Sequence, residues 1–121
     1  MAIEKHVGEK YNHSLTTTQV AARIRAEIKG LQKAGSLAKL PISVRTHNYS
    51  MGSAIYVSAD APPSCFNEDW ETLGRLTAEG IELSDKLEAV VAAYRKSERD
   101  FHTDYSFANF YANVSIDRAQ A

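Results

Sequence analysis

The hydrophobic period of this chain changes once, abruptly, and that change limits what it can fold into. Val20, Ile24, Ile28 and Leu31 recur at spacings of four, four and three, the apolar stripe of an amphipathic helix. After Pro41 the period falls to two, and Ile42, Val44 and Thr46 alternate with Ser43, Arg45 and His47, as in a strand with one buried face. A helix with one apolar stripe beside a strand with one apolar face must bury each against the other, which excludes both an all-helical bundle and an all-strand barrel.

The remaining segments extend this reading. Thr16, Thr17 or Thr18 can cap the first helix, and Gly35 followed by Ser36 stops it, since glycine reaches the left-handed conformation that closes helices. Asn48 to Gly52 supplies turn formers, and Ala54 to Ala59 resumes alternation through Ile55 and Val57, so the two runs form a hairpin. Pro62 and Pro63 end the second strand by removing ladder donors. Trp70, Leu73 and Leu76 predict a short helix over the sheet edge, interrupted by Gly74 and Gly80. Ser84 then caps a second main helix whose buried stripe is Leu87, Val90, Val91 and Tyr94. Finally Phe110, Ala112, Val114 and Ile116 alternate with Tyr111, Asn113 and Ser115 in a third strand.

The expected fold is α+β: a two-layer sandwich in the order helix, strand, strand, helix, strand, with an antiparallel sheet and both helices on one face. Residues 1–15 read as a flexible N-terminal segment, 16–117 as a single domain and 118–121 as a polar tail. One core is expected, in which Ile42, Val44, Ile55, Val57, Val114 and Ile116 meet Val20, Ile24, Ile28, Leu87, Val91 and Tyr94.

Length and charge narrow the function. A chain of 121 residues, 44% apolar, supports one real core. Fourteen Lys and Arg against fifteen Asp and Glu leave a net charge of -1, which argues against a protein built mainly to hold a phosphate backbone. No apolar run approaches the roughly 18 residues of a membrane span, and no membrane partner is expected. The N-terminus lacks a signal-peptide pattern, and a lone Cys65 excludes an internal disulfide, so a reducing cytoplasm is the expected setting.

Chemistry-bearing patterns are sparse. No Gly-rich loop follows a strand to cradle phosphate, and His6, His13, His47 and His102 have no metal-ligand spacing. Neither a metal nor a cofactor is expected, and Cys65 reads as an inert small hydrophobe. Asp100, His102 and Asp104 form the densest titratable cluster, a pattern fit for acid–base work, but aspartates in a connector more often cap turns. The chain is therefore read as a binder, with no catalytic residue.

Two surfaces offer themselves for binding. Arg25, Lys29 and Lys33 are spaced by four and line one face of the first helix, where they can grip phosphates or an acidic protein. Tyr49, Tyr56, Tyr105 and Tyr111 bring aromatic surface to the strands, and with Arg45 they can stack bases or anchor a protein. Alternation places Arg45 on the sheet face away from the helices, where it is either part of that surface or a clamp on Asp100 or Asp104. A three-stranded sheet also leaves edges that a homodimer would cover.

The stretch VRTHNYSMGSAIYVS, with the later AYRKSERDFHTDYSFANFYANVSID, resembles one of the large-polyvalent-protein-associated domains of phage and mobile-element proteins, and short stand-alone proteins of actinobacterial phages. The matching residues are Val44, Arg45, Tyr49, Ser50, Gly52, Ser53, Ile55 and Val57, then Asp100, Asp104, Tyr105, Phe110 and Tyr111. Met51 stands where the family often has glycine, and the segment from Ser64 to Leu83 is longer than usual. The resemblance implies a mobile-element origin, with a role in counter-defence or in accompanying DNA into a host. It implies no catalytic residue. On this basis the chain is read as an accessory protein that binds a host protein in the host cytoplasm, the alternative being a nucleic-acid-binding module using Arg25, Lys29, Lys33 and Arg45.

Overall fold

Helix α1 (Thr17–Lys33) begins at a reciprocal cap: the Gln19 amide donates to the Thr16 hydroxyl at 3.2 Å, and the Thr16 amide donates to the Gln19 side chain at 2.9 Å. It ends at Ala34, followed by Gly35 with φ 82°. The computed structural model describes residues 3–49, 52–100 and 105–118. Within them the order is β1 (Ile3–Val7), α1, β2 (Ile42–Tyr49), β3 (Gly52–Ala61), α2 (Trp70–Leu73), α3 (Ala78–Ala92), β4 (Lys96–Asp100), β5 (Tyr105–Ala108) and β6 (Tyr111–Arg118), with a single 3-10 turn at Pro63–Cys65. The fold is α+β, as the two hydrophobic periods require. Among the described residues no helix is long and apolar enough to cross a membrane.

The main sheet has the order β2-β3-β6. Strands β2 and β3 pair antiparallel with Val44 opposite Val57, but β6 pairs parallel to β3, with Val57 beside Val114 and Ala59 beside Ile116. The expectation of an all-antiparallel sheet is corrected here. The connection from β3 to β6 contains α3, and such a crossover is long enough to return the chain in the same direction.

Both main helices lie on one face of this sheet. Ile24, Ile55 and Leu87 are wholly buried there, with Val20, Ile28, Val44, Val57, Val91, Tyr94 and Ile116 around them and Ile42 and Val114 packed at the margin. The core anticipated from the two periods is therefore one cluster. It also takes in Leu37, Leu83, Phe66 and Phe110, which were not among the residues expected there.

The second sheet, β1-β4-β5, is antiparallel and was not expected. The segment read as flexible contains β1, which docks beside the end of α3: the Gly8 amide donates to Arg95 O and the Lys10 amide to Ala93 O, both at 2.8 Å. A Cβ at Gly8 would lie 2.2 Å from Ala93 O, so only glycine permits this approach. Lys10 then pairs with Glu27 of α1, and the Tyr94 hydroxyl donates to the same carboxylate at 3.0 Å. Burial, reinforced by Glu27, pushes the Tyr94 hydroxyl above its ordinary pKa.

Helix α3 also starts earlier than Ser84. Thr77 caps it, its hydroxyl accepting from the Gly80 amide. Gly80, expected to interrupt a helix, sits in the first turn because a Cβ there would meet Cys65 O at 2.3 Å. The β5–β6 corner is held by Asn109, whose side chain accepts from Lys96 N and Phe110 N and donates to Tyr94 O.

Candidate binding surface

Alternation along the main sheet sends one set of side chains into the core and the other to the face that carries no helix. The second set comprises Arg45, His47 and Tyr49 on β2, Gly52, Ala54 and Tyr56 on β3, and Tyr111 and Asn113 on β6, by the register of the ladders. Tyr49, Tyr56 and Tyr111 are 41%, 36% and 53% exposed. Three large aromatic side chains thus stand in water on one side of a sheet whose other side carries the core.

These side chains are ordered against one another. The Tyr49 and Tyr111 rings stack with centroids 6.4 Å apart and planes 20° from parallel, and His47 lies 5.7 Å from Tyr49. Arg45 is directly opposite Tyr56 in the ladder. Ala54 shares this face, between His47 and Tyr111 in register, and is 4% exposed although it is outside the main core. Its neighbours on the outer face cover it. Local burial pushes the Tyr49 hydroxyl above its ordinary pKa, and the nearby Tyr111 and Tyr56 act in the same direction.

Such a surface is equipped for recognition. Tyrosine offers a rigid apolar ring with a polar tip, and with arginine it is among the residue types that dominate binding hot spots. Arg45, on the face to which alternation assigned it, is joined there by Tyr49 and Tyr56. Tyr111 joins them through the parallel pairing of β6, and His47 through the same alternation that places Arg45.

The basic row is divided instead. Arg25 donates from Nη2 to Val44 O at 2.7 Å, covering part of the β2 edge. Lys29 and Lys33 are exposed farther along α1, in the layer behind the sheet. They do not converge with the tyrosines into one site. Covering the β2 edge also removes a carbonyl that another strand could use.

The proposed clamp of Arg45 on Asp100 or Asp104 falls outside the described residues, as does the Asp100, His102 and Asp104 cluster: the Asp100 backbone is described in β4, its side chain and the other two are not. Arg45 itself is exposed. Cys65 is 2% exposed, and burial pushes its thiol above the ordinary pKa, which withdraws the nucleophilic thiolate. Among the described residues no group of three or more His, Cys, Asp and Glu side chains is arranged to hold a metal ion. No family model, no curated protein and no solved structure matches the chain.

Proposed function

We propose that this chain is a non-enzymatic accessory protein of a phage or other mobile element that binds a host protein in the host cytoplasm, acting in counter-defence. The observation that supports a binding role is the open face of the main sheet, where Tyr49 and Tyr111 stack beside Tyr56 and Arg45. The mobile-element origin rests on the resemblance of the hairpin and the C-terminal strand. A protein partner fits better than nucleic acid because the overall charge is -1 and the basic row of α1 lies in the other layer.

The test begins with capture from host lysate with and without nuclease, followed by titration of the purified partner. Tyr111→Ala and Arg45→Ala are each expected to weaken that binding by about tenfold or more with the fold unchanged. Capture that disappears with nuclease, together with affinity that falls steeply with added salt, would replace this reading with base stacking on the tyrosines.

A further inference from the structure

Between Phe66 and Leu76 the chain leaves the core in a loop whose ends are joined. Phe66 and Leu76 form an antiparallel bridge, and the Asn67 amide donates to Arg75 O at 3.0 Å. The Asn67 side chain donates to Gly74 O at 2.9 Å and Leu76 O at 3.0 Å, so one residue ties the loop across its interior. The base is closed by the Thr77 hydroxyl, which donates to Ser64 O at 2.7 Å. Closed surface loops of this kind, whose ends lie together, frequently carry function. Trp70, at the loop's outer turn, is 61% exposed.

Two cations converge on the same loop. The guanidinium carbons of Arg75 and Arg118 lie 5.2 and 5.1 Å from the centroid of the buried Phe66 ring. Attraction to an aromatic ring leaves both positive charges in place, and both guanidiniums line the same cleft. Arg75 donates one Nη2 bond to Ile116 O, which fixes it and leaves its other donors available. Glu68, Asp69 and Glu71 belong to the same loop, yet among the described residues no carboxylate comes within 4.0 Å of either guanidinium. Phe66, Asn67, Trp70, Arg75 and Arg118 together line a cleft of about 460 Å³, within the range of small-ligand sites. It lies at the opposite end of β6 from Tyr111, about 23 Å away at the rise of a strand.

We propose that this cleft binds a nucleoside monophosphate, with the base on the Trp70 indole and the phosphate on Arg75 and Arg118. A phosphate monoester carries a charge between about -1.5 and -2 at pH 7, which balances two guanidiniums where a single carboxylate balances one. Its oxygens fit the planar donor fork of arginine. An exposed indole is a flat apolar wall on which any base can stack. The same chemistry is offered by a free nucleotide and by the phosphorylated 5′ end of a strand.

The chain has one tryptophan, so the indole N–H gives one resonance in a nitrogen–proton correlation spectrum, and it reports on this cleft alone. Adenosine monophosphate is expected to shift it saturably at concentrations of about 1 mM or below. Adenosine alone and inorganic phosphate alone should each bind at least about tenfold more weakly, as should the monophosphate to Arg118→Gln with the rest of the spectrum unchanged. Tighter binding of a 5′-phosphorylated trinucleotide than of the mononucleotide would make a strand end the source, and the reverse order a free nucleotide. No saturable shift up to about 10 mM, equal affinity of Arg118→Gln and the parent, or equal binding of the 5′-hydroxyl and 5′-phosphorylated trinucleotides would overturn the proposal.

Discussion

Tyr49 and Tyr111 sit on strands that are not neighbours, yet their rings stack 6.4 Å apart across the central strand between them. The small residues Gly52 and Ala54 of β3 make this possible. A Cβ at Gly52 would touch both rings at 3.7 Å, and Ala54 is the direct partner of Tyr111. The rings contact one another because the strand beneath them carries almost nothing to separate them. Tyr111→Ala should therefore cost less than about 1 kcal/mol of folding stability, since the ring is half exposed. It should also return the Tyr49 hydroxyl towards its ordinary pKa by opening the site to water. Near-ultraviolet pH titration of the tyrosines measures the second effect, and an unchanged Tyr49 would contradict the stacked arrangement.

Ile55 provides the opposite case. It is wholly buried between β3 and the helices, and Ile55→Ala removes a branched side chain from a site that cannot collapse. A loss of about 2–5 kcal/mol is expected in urea unfolding. A loss below about half a kcal/mol would be incompatible with the packed sandwich.

At Gly8 the expected effect is local. Gly8→Ala places a Cβ against the carbonyl oxygens of Ala92 and Ala93, and backbone cannot yield as a flexible side chain would. Strand β1 should separate from β4 at a cost of about 1–3 kcal/mol. Hydrogen exchange should accelerate at Glu4, His6 and Ser97, whose amides face the partner strand in this register, while the amides of β3 keep their protection.

Alkaline pH tests the Tyr94–Glu27 contact. Tyr94 has a folded-state pKa raised first by burial and then by Glu27. Its contribution to stability is complete below about pH 10, where the unfolded side chain is also neutral, and is lost as pH rises through the folded-state value. The urea midpoint should fall as pH rises above about 10, and Tyr94→Phe should flatten that decline. Tyr49 acts in the same direction, so some slope remains in the variant.

Cys65 should be silent in the native protein. Its burial and raised pKa predict that a disulfide reagent at pH 8 reacts at least about a hundredfold more slowly with the folded chain than with the chain in denaturant. Equal rates would place the thiol at the surface.

The parts of the fold legible in the sequence are those written in period. Val20, Ile24 and Ile28 marked α1, and Ile42 to Val57 marked the hairpin, because each pattern reflects burial on one side of a single element. The second sheet carries no such pattern. Its strand β4, Lys-Ser-Glu-Arg-Asp, is wholly polar, and its pairing is held by backbone ladders and by contacts such as Gly8 on Ala93, which depend on distant residues. The direction of β6 was equally hidden, since a strand alternates identically in parallel and antiparallel ladders. The tyrosine face was half legible: alternation gave Arg45 and composition gave the tyrosines near the strands, but the meeting of Tyr49 with Tyr111 required the order β2-β3-β6. The cleft at Trp70 was not legible, because Arg75 and Arg118 are far apart in sequence and meet only over Phe66.

The parallel pairing of β3 with β6 also sets an order of events. During folding, α1 and the β2–β3 hairpin can form from neighbouring segments, but the central strand lacks one partner until β6 arrives from beyond α3 and the second sheet. Closing so long a loop costs entropy before any contact offsets it. The sheet should therefore complete late, with refolding in milliseconds to seconds rather than microseconds. Until then one side of β3 is an open edge, and on a ribosome it stays open until β6 has been made.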